Sequence, residues 1–595
     1  MPSDLDRSRP EKKNKPLCFS LGFVAPVYPN CFWQTISGDY KWSPVSPVVK
    51  IFLHRSSFRV VFIMGFVIYN PYLVAIVATV GGMLFGFDIS SVSAFVNQPA
   101  YRAYFHDPSS IAQGGITASM AGGSFLGSLV AGYISDKLGR KHVIQLSSII
   151  WIIGAAIQTS AQNQGQLIAG RLISGVGIGF ASTQVPVYVA ELAPARIRGR
   201  LVGLFQWSVT WGIMIMFYIS FGCTYISGEA SFRTAWGIQM VPGALLLVGM
   251  MFLPESPRWL AAHDRWEEAI DIISHIQGGG DLEHPQVMIE MEEIKEAVRI
   301  DRESKSVTLL DLFRADSINR TMVGIWAQIW QQLTGMNVMM YYITDIFSMA
   351  GYTGNANLVA SSIQYVINVV MTIPALLWID KWGRRPLLLV GSVLMMTWLF
   401  AEAGLLATYA EHVPEVNGNP QIRILIPPEN KPAAKAVIAC SYLFVASFAP
   451  TWGPGIWIYC SEIFPMKQRA IANGICGSAN WIFNFALAMF VPTAFQNITW
   501  KTYIIFGVFC IAMFIHVFLL FPETKGKTLE EIDQIWAEKI PAWKSASFVP
   551  RQPSLSDIKA AHGGGPPSIT EKINEQSQTE NRDAAAAVPP LELSE

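Results

Sequence analysis

GYISDKLGRK at residues 132–141 and IDKWGRRP at residues 379–386 are one phrase written twice, once in each half of a 595-residue chain. In both an acid stands four positions before an arginine: Asp136 and Arg140, then Asp380 and Arg384. A second phrase repeats in the same way. PVYVAELAPARIRGR (186–200) and IWIYCSEIFPMKQRA (456–470) place a glutamate seven positions before an arginine, Glu191 and Arg198, then Glu462 and Arg469. The apolar residues around them differ while the charge geometry is kept, so the halves are copies of one design. Simple positive anchors would explain the Lys and Arg but not acids at fixed offsets. Internal repeats of this kind in a membrane chain point to the two halves of an alternating-access machine. Ion pairs at neighbouring helix ends, each worth about 1–3 kcal/mol, suit contacts that form in one state and break in the other.

The sequence around the repeats wants to be in hydrocarbon. Apolar residues make up 51% of the chain and charged residues only 14%, well below the charge of soluble domains. Stretches of about 20 apolar residues, enough to cross a hydrocarbon core of about 30 Å, recur through the chain. They number twelve, at 72–94, 112–134, 143–161, 166–189, 201–222 and 235–253, then 321–346, 358–379, 387–409, 434–460, 471–495 and 501–521. The expected organisation is an N-terminal segment 1–71, a six-helix half 72–253, a charged helical linker 254–320, a second six-helix half 321–521, and a tail 522–595, disordered beyond about 540.

Basic linkers follow the even-numbered stretches and nearly uncharged ones the odd, which predicts that both termini and the linker are cytoplasmic. The first 63 residues read as a cytoplasmic segment, with Met64 as a second candidate start that would make them an extension. The seven cysteines show no paired spacing and sit mostly in apolar runs, so no disulfide framework or zinc site is expected. Lys plus Arg equals Asp plus Glu, which gives no hint of nucleic acid. No nucleophile with a base, no metal-ligand spacing and no phosphate loop occurs in a plausible context, so an enzyme is not expected.

Polar side chains at membrane depth need partners. Carboxamides gather in the second half: Gln331, Gln332, Asn337, Gln364, Asn368, Asn480 and Asn484, with Gln206 in the first half and Trp457 and Trp481 nearby. On a regular helix Gln332 and Asn337 would diverge by about 140°; Gly335 between them permits an unwinding that turns both inward. Amides with a tryptophan and no fixed charge match the hydroxyls and apolar ring face of a sugar better than an ion or amino acid. Small residues at every fourth position (Ser119, Gly123, Gly127 and Ala131, with Gly175 and Gly179) mark where helices pack closely. One carboxylate, Asp88 in LFGFDISS (84–91), is placed where a charge costs about 2.5–3.5 kcal/mol, and Arg171 is its candidate partner. Burial favours the protonated acid and Arg171 the carboxylate, so helices that part and meet would move a proton. A permanent salt bridge is the alternative.

These phrases, with RLISGVGIG (171–179), PESPRWL (254–260), QQLTGMN (331–337) and PETKGK (522–527), closely resemble the sugar porter family of the major facilitator superfamily over about residues 70 to 535. FGFDISSVSAF (85–95) is similar to fungal high-affinity glucose transporters of the proton-symport type. The resemblance implies an all-α membrane protein of the major facilitator fold, twelve helices in two halves with a cytoplasmic helical insert. It implies hexose contacts at Gln206, Gln331, Gln332, Asn337, Asn368, Trp457 and Asn484, with Trp481 packing or closing the cytoplasmic side. It also implies a coupling pair at Asp88 and Arg171, and cytoplasmic ion pairs among Asp136, Arg140, Glu191, Arg198, Asp380, Arg384, Glu462 and Arg469. The expected protein is a monomeric plasma-membrane importer of a hexose, most simply glucose, with a co-transported proton and no other cofactor or metal. A facilitative uniporter and a non-transporting sugar sensor share the same features.

Overall fold

The computed structural model describes residues 67–548, apart from 94, 96–98, 107, 109, 304–308, 315–316, 353, 415 and 417–421. The expectations for residues 1–63 and for the last part of the tail lie outside the described residues. In a bilayer backbone polar groups must be satisfied within the segment, so the apolar stretches become helices. Spans 1 to 5 are Pro71–Ser93, Ser110–Leu138, Arg140–Thr159, Gln164–Leu192 and Arg198–Cys223, and span 6 is two consecutive helices, Ala230–Ile238 and Met240–Met251. Three helices, Pro257–Ala262, Trp266–Gln277 and Pro285–Glu303, form the insert. Span 7 is broken into Ile318–Leu333, Met336–Tyr341 and Ile343–Met349. Spans 8 and 9 are Gly354–Trp382 and Arg384–Tyr409. Span 10 is Lys431–Phe448 continued by Trp452–Glu462, and spans 11 and 12 are Met466–Asn497 and Lys501–Leu520.

Ten of these passages are long and apolar enough to cross a membrane by length and composition alone. Span 2 falls short because Gly and Ser, needed for packing, dilute its apolar surface, and span 7 because it is interrupted. The interruption is at Gly335, whose φ of +86° is a left-handed conformation that side chains other than hydrogen resist. Span 4 is 83% buried within its most apolar window and span 12 only 33%, which puts span 4 inside the bundle and span 12 at its lipid-facing edge.

Spans 2 and 4 pack along the predicted small-residue stripe. A Cβ on Gly123 or Gly127 would collide with the carbonyl oxygens of Leu172 and Val176, and one on Gly175 or Gly179 with those of Met120 and Ser124. The close approach lets Ser124 and Ser128 donate across the seam to the Gly175 and Gly179 carbonyls, at 3.0 and 3.2 Å.

The tail stays packed beyond the expected start of disorder at about 540. Helix Leu529–Ala537 opens with a capping box at Thr528 and Glu531, and Asp533 pairs with Arg320 at 2.9 Å. A 3-10 turn follows, Ala542–Ser547. The Ser545 hydroxyl accepts the Glu523 amide at 2.7 Å, and that buried bond holds residues through 547 against the bundle.

An alanine at Gly127 should cost about 1–3 kcal/mol through forced separation of spans 2 and 4. An alanine at Gly222, which faces open space, should leave the melting temperature of the purified protein nearly unchanged. Equal melting temperatures for the two variants would refute the close-packed seam.

Candidate functional site

A cavity lies between the halves, lined by Phe85 and Ile89 from span 1, Gln206, Val209 and Ile213 from span 5, and Gln331, Gln332, Met336, Asn337 and Met340 from span 7. Asn368 of span 8 and Phe448 and Trp457 of span 10 complete it, and none of these residues is charged. Six of the seven residues singled out as sugar contacts thus meet in one cavity.

The seventh, Asn484, lies one layer behind. Its amide donates to Gln332 Oε1 at 3.3 Å, and its carbonyl oxygen accepts the Tyr341 hydroxyl at 3.3 Å. The break at Gly335 turns Asn337 back so that its amide also donates to Gln332 Oε1, at 2.6 Å. Gln332 Nε2 donates to Asn480 Oδ1 at 2.9 Å. Asn480 Nδ2 in turn reaches Gln331 Oε1 and Gln328 Oε1, each at 2.8 Å, and Gln331 Nε2 caps the carbonyls of Trp452 and Gly453 at 3.0 and 3.1 Å, where span 10 is broken. Much of the amide capacity of spans 7 and 11 is therefore used internally. Other capacity is unspent: Asn368 Oδ1 is buried without a partner among the described residues. Such an atom costs about 1–3 kcal/mol unless something supplies a donor.

Trp481 is fully buried beside the cavity without lining it. Its Nε1 donates to Ser182 Oγ of span 4 at 3.1 Å, and its ring meets Phe85 edge-on at 4.7 Å, so it joins span 11 to the first half.

Asp88 and Arg171 do meet, with Nη2 to Oδ1 at 2.7 Å and both side chains buried. Asp88 lies near the end of span 1, whose last residue is Ser93. Ser174 donates to Asp88 Oδ2 at 3.1 Å and Arg171 donates to Ser91 Oγ at 3.2 Å. Neither serine was singled out from sequence, although Ser174 stands one helical turn after Arg171. Phe85 and Ile89 bracket Asp88 on the same helix and line the cavity, and the ion pair lies beside it without lining it.

At the end of the bundle that carries the basic linkers, the repeated charges form two matching clusters. Arg140 pairs with Asp136 at 3.1 Å and Glu191 at 3.2 Å; Arg384 pairs with Asp380 at 3.1 Å and Glu462 at 2.7 Å. Arg198 and Arg469 donate through Nε to the Ala190 and Phe464 carbonyls, at 3.2 and 3.1 Å. A third repeat, visible in sequence as PES (254–256) and PET (522–524), completes each cluster. Ser256 donates to Glu191 at 2.5 Å and Thr524 to Glu462 at 2.7 Å. Glu255 accepts the amides of Arg140 and Lys141, at 3.0 and 3.1 Å, and Glu523 those of Arg384 and Arg385, also at 3.0 and 3.1 Å. Each glutamate thereby caps the positive N-terminus of a span. The approach needs glycine at Gly139 and Gly383, with φ of +94° and +96°, since any Cβ there would strike the capping carboxylate. Across the halves, Arg469 lies 3.8 Å from Glu191, the Arg200 amide donates to Asp380 at 2.9 Å, and Gly132 abuts the backbone of Ala470 and Ile471. The bundle is shut at this end.

Residues 74–536 match the family model described as "Sugar (and other) transporter". The chain is 56% identical to the high-affinity glucose transporter of Kluyveromyces lactis, over 87% of this chain and 95% of that one. It superposes on the major facilitator superfamily proton:xylose symporter XylE bound to 6-bromo-6-deoxy-D-glucose with a TM-score of 0.69, at 26% identity, over 78% of this chain and 99% of that one. The inward-open conformation of XylE from E. coli gives a TM-score of 0.58 at the same identity, over 78% and 100%, so the helices here are arranged more like the sugar-bound form. The chain belongs to the sugar transporter family of the major facilitator superfamily, and it is a membrane transporter, not an enzyme.

Proposed function

We propose that the protein imports glucose across the plasma membrane of a fungal cell together with protons, by rocking its two halves about the central cavity. The observation that carries this reading is the cavity itself: uncharged, bounded by amides and Trp457, with Asn368 Oδ1 buried and unpartnered, and with the Asp88–Arg171 pair beside it. A sugar hydroxyl supplies the missing donor, and the Trp457 indole offers the ring face a surface. Gln206, Gln331, Gln332, Asn337, Asn368 and Trp457 are the proposed sugar contacts, with Asn484 holding Gln332 in place. The name and the 56% identity of the yeast relative support glucose, and the symporter likeness supports proton coupling.

In this reading the end bearing the ion-pair clusters, both termini and the insert face the cytoplasm, and the protein works as a monomer. The shut end is then the inner one, and the described conformation precedes release. Sugar entering the cavity and a proton reaching Asp88 free Arg171 from its partner, and the clusters at the inner end then part. Release of both on the inner side restores the pair.

Replacing Gln206 with Ala should raise the KM for glucose about tenfold, the equivalent of about 1.4 kcal/mol. Asn484→Ala should raise it less, because Gln332 keeps its Asn337 and Asn480 bonds. A larger effect at Asn484 than at Gln206 would mean that Asn484 itself touches the sugar.

Uptake of a non-metabolised glucose analogue in yeast stripped of hexose transporters tests the coupling. One proton per sugar contributes about 2.3 kcal/mol per 100 mV, which sustains about fifty-fold accumulation; a protonophore should abolish it. Equilibration without accumulation would instead identify a uniporter, and binding without uptake a sensor. Asp88→Asn should lose accumulation yet keep sugar exchange, and undiminished accumulation in that variant would exclude Asp88 as the proton carrier.

A further inference from the structure

Span 9 carries a second carboxylate at membrane depth that the sugar cavity does not use. Glu402 is fully buried, and its Oε2 has no partner among the described residues. Ser441 from span 10 contacts it at 3.0 Å, Cys440 of span 10 and Tyr503 of span 12 lie near enough to feel its charge, and Asp345 from the last helix of span 7 acts likewise on Tyr503. Among the described residues no Lys, Arg or His faces Glu402, in contrast to Asp88 with its arginine. An ionised carboxylate with no cation at this depth is costly enough that such a group neutralises instead.

The hydrogen-bond arithmetic around Ser441 points the same way. Its Oγ lies 3.0 Å from Glu402 Oε1 and 3.2 Å from the Val437 carbonyl oxygen. A hydroxyl has one hydrogen and two lone pairs, and a carbonyl can only accept. If Ser441 donates to Val437, the contact to Glu402 needs a hydrogen on the acid. A carboxylate would instead compete with Val437 for the same hydrogen and leave its other oxygen charged and bare.

We propose that Glu402 is a proton-binding site in the second half, separate from Asp88, and that it is occupied in this conformation. The carboxylate takes up one proton at Oε1, and the resulting O–H donates to Ser441 Oγ, which donates to Val437. Oε2 is then a neutral carbonyl oxygen, which costs far less when left unpaired than a bare charge. Span 10, which carries Ser441, is interrupted between Phe448 and Trp452, so a shift of its first segment that admits water releases the proton. The site stands independently of which sugar is carried.

Infrared spectroscopy of the full-length protein in lipid nanodiscs at neutral pH tests this, comparing wild type with Glu402→Gln, Asp88→Asn and Ser441→Ala. One protonated-acid C=O band should vanish in Glu402→Gln and persist in Asp88→Asn. In Ser441→Ala it should remain but move to higher frequency, because the acid loses its hydrogen-bond acceptor. Loss of carboxylate bands alone in Glu402→Gln would overturn the proposal. An unmoved protonated-acid region in Ser441→Ala would do the same even if Glu402→Gln failed to fold.

Discussion

Glu191 is the buried charge on which the arrangement of the halves rests. It receives Arg140 from span 3, Ser256 from the segment leading into the insert, and the approach of Arg469 from the other half. Removing one partner of a buried ion pair costs about 3–5 kcal/mol, so the three elements are bound to one position. Its twin Glu462 does the same for span 9 and the start of the tail. The distances are graded. Pairs within a half measure 2.7 to 3.2 Å, whereas the Arg469–Glu191 contact that crosses between halves measures 3.8 Å. Among these charged side-chain pairs the one across the seam is the longest, while the Arg200 amide on Asp380, at 2.9 Å, also crosses it.

That grading suits the division of chemistry above it. The first half supplies the ionisable pair and the second most of the amides, and the two meet at the cavity wall formed by Phe85 and Ile89. Tyr341 ties them further: its hydroxyl bonds Asn484, and it lies within the electrostatic field of Asp88 and Arg171. The break at Gly335 makes this possible by turning the outer part of span 7 toward the first half.

Features that obey local geometry were legible in the sequence. The i,i+4 offset of Asp136 and Arg140 predicts a contact on one helix, small residues at every fourth position predict a seam, and Gly335 predicts a break. Five of the six cavity residues are neutral amides conspicuous in apolar sequence, and the family resemblance marked them, with Trp457, as sugar contacts. What escaped depends on long-range partners. The resemblance implied a sugar contact at Asn484, whose amide is turned toward Gln332 and lies outside the cavity lining. Ser256 and Thr524 look like ordinary hydroxyls until they are seen 65 and 62 residues away on Glu191 and Glu462.

Gln332 has a consequence of its own. Its oxygen accepts from Asn337 and Asn484 and its nitrogen donates to Asn480, so the amide cannot turn over without breaking all three bonds. The neighbouring amides inherit fixed orientations from it. The cavity thus presents donors and acceptors in one handed order around its wall, and a sugar and its epimer, equal in size and polarity, meet that order differently. If these amides hold the sugar as proposed, its stereochemistry is read by the polarity of locked amides rather than by the width of the space.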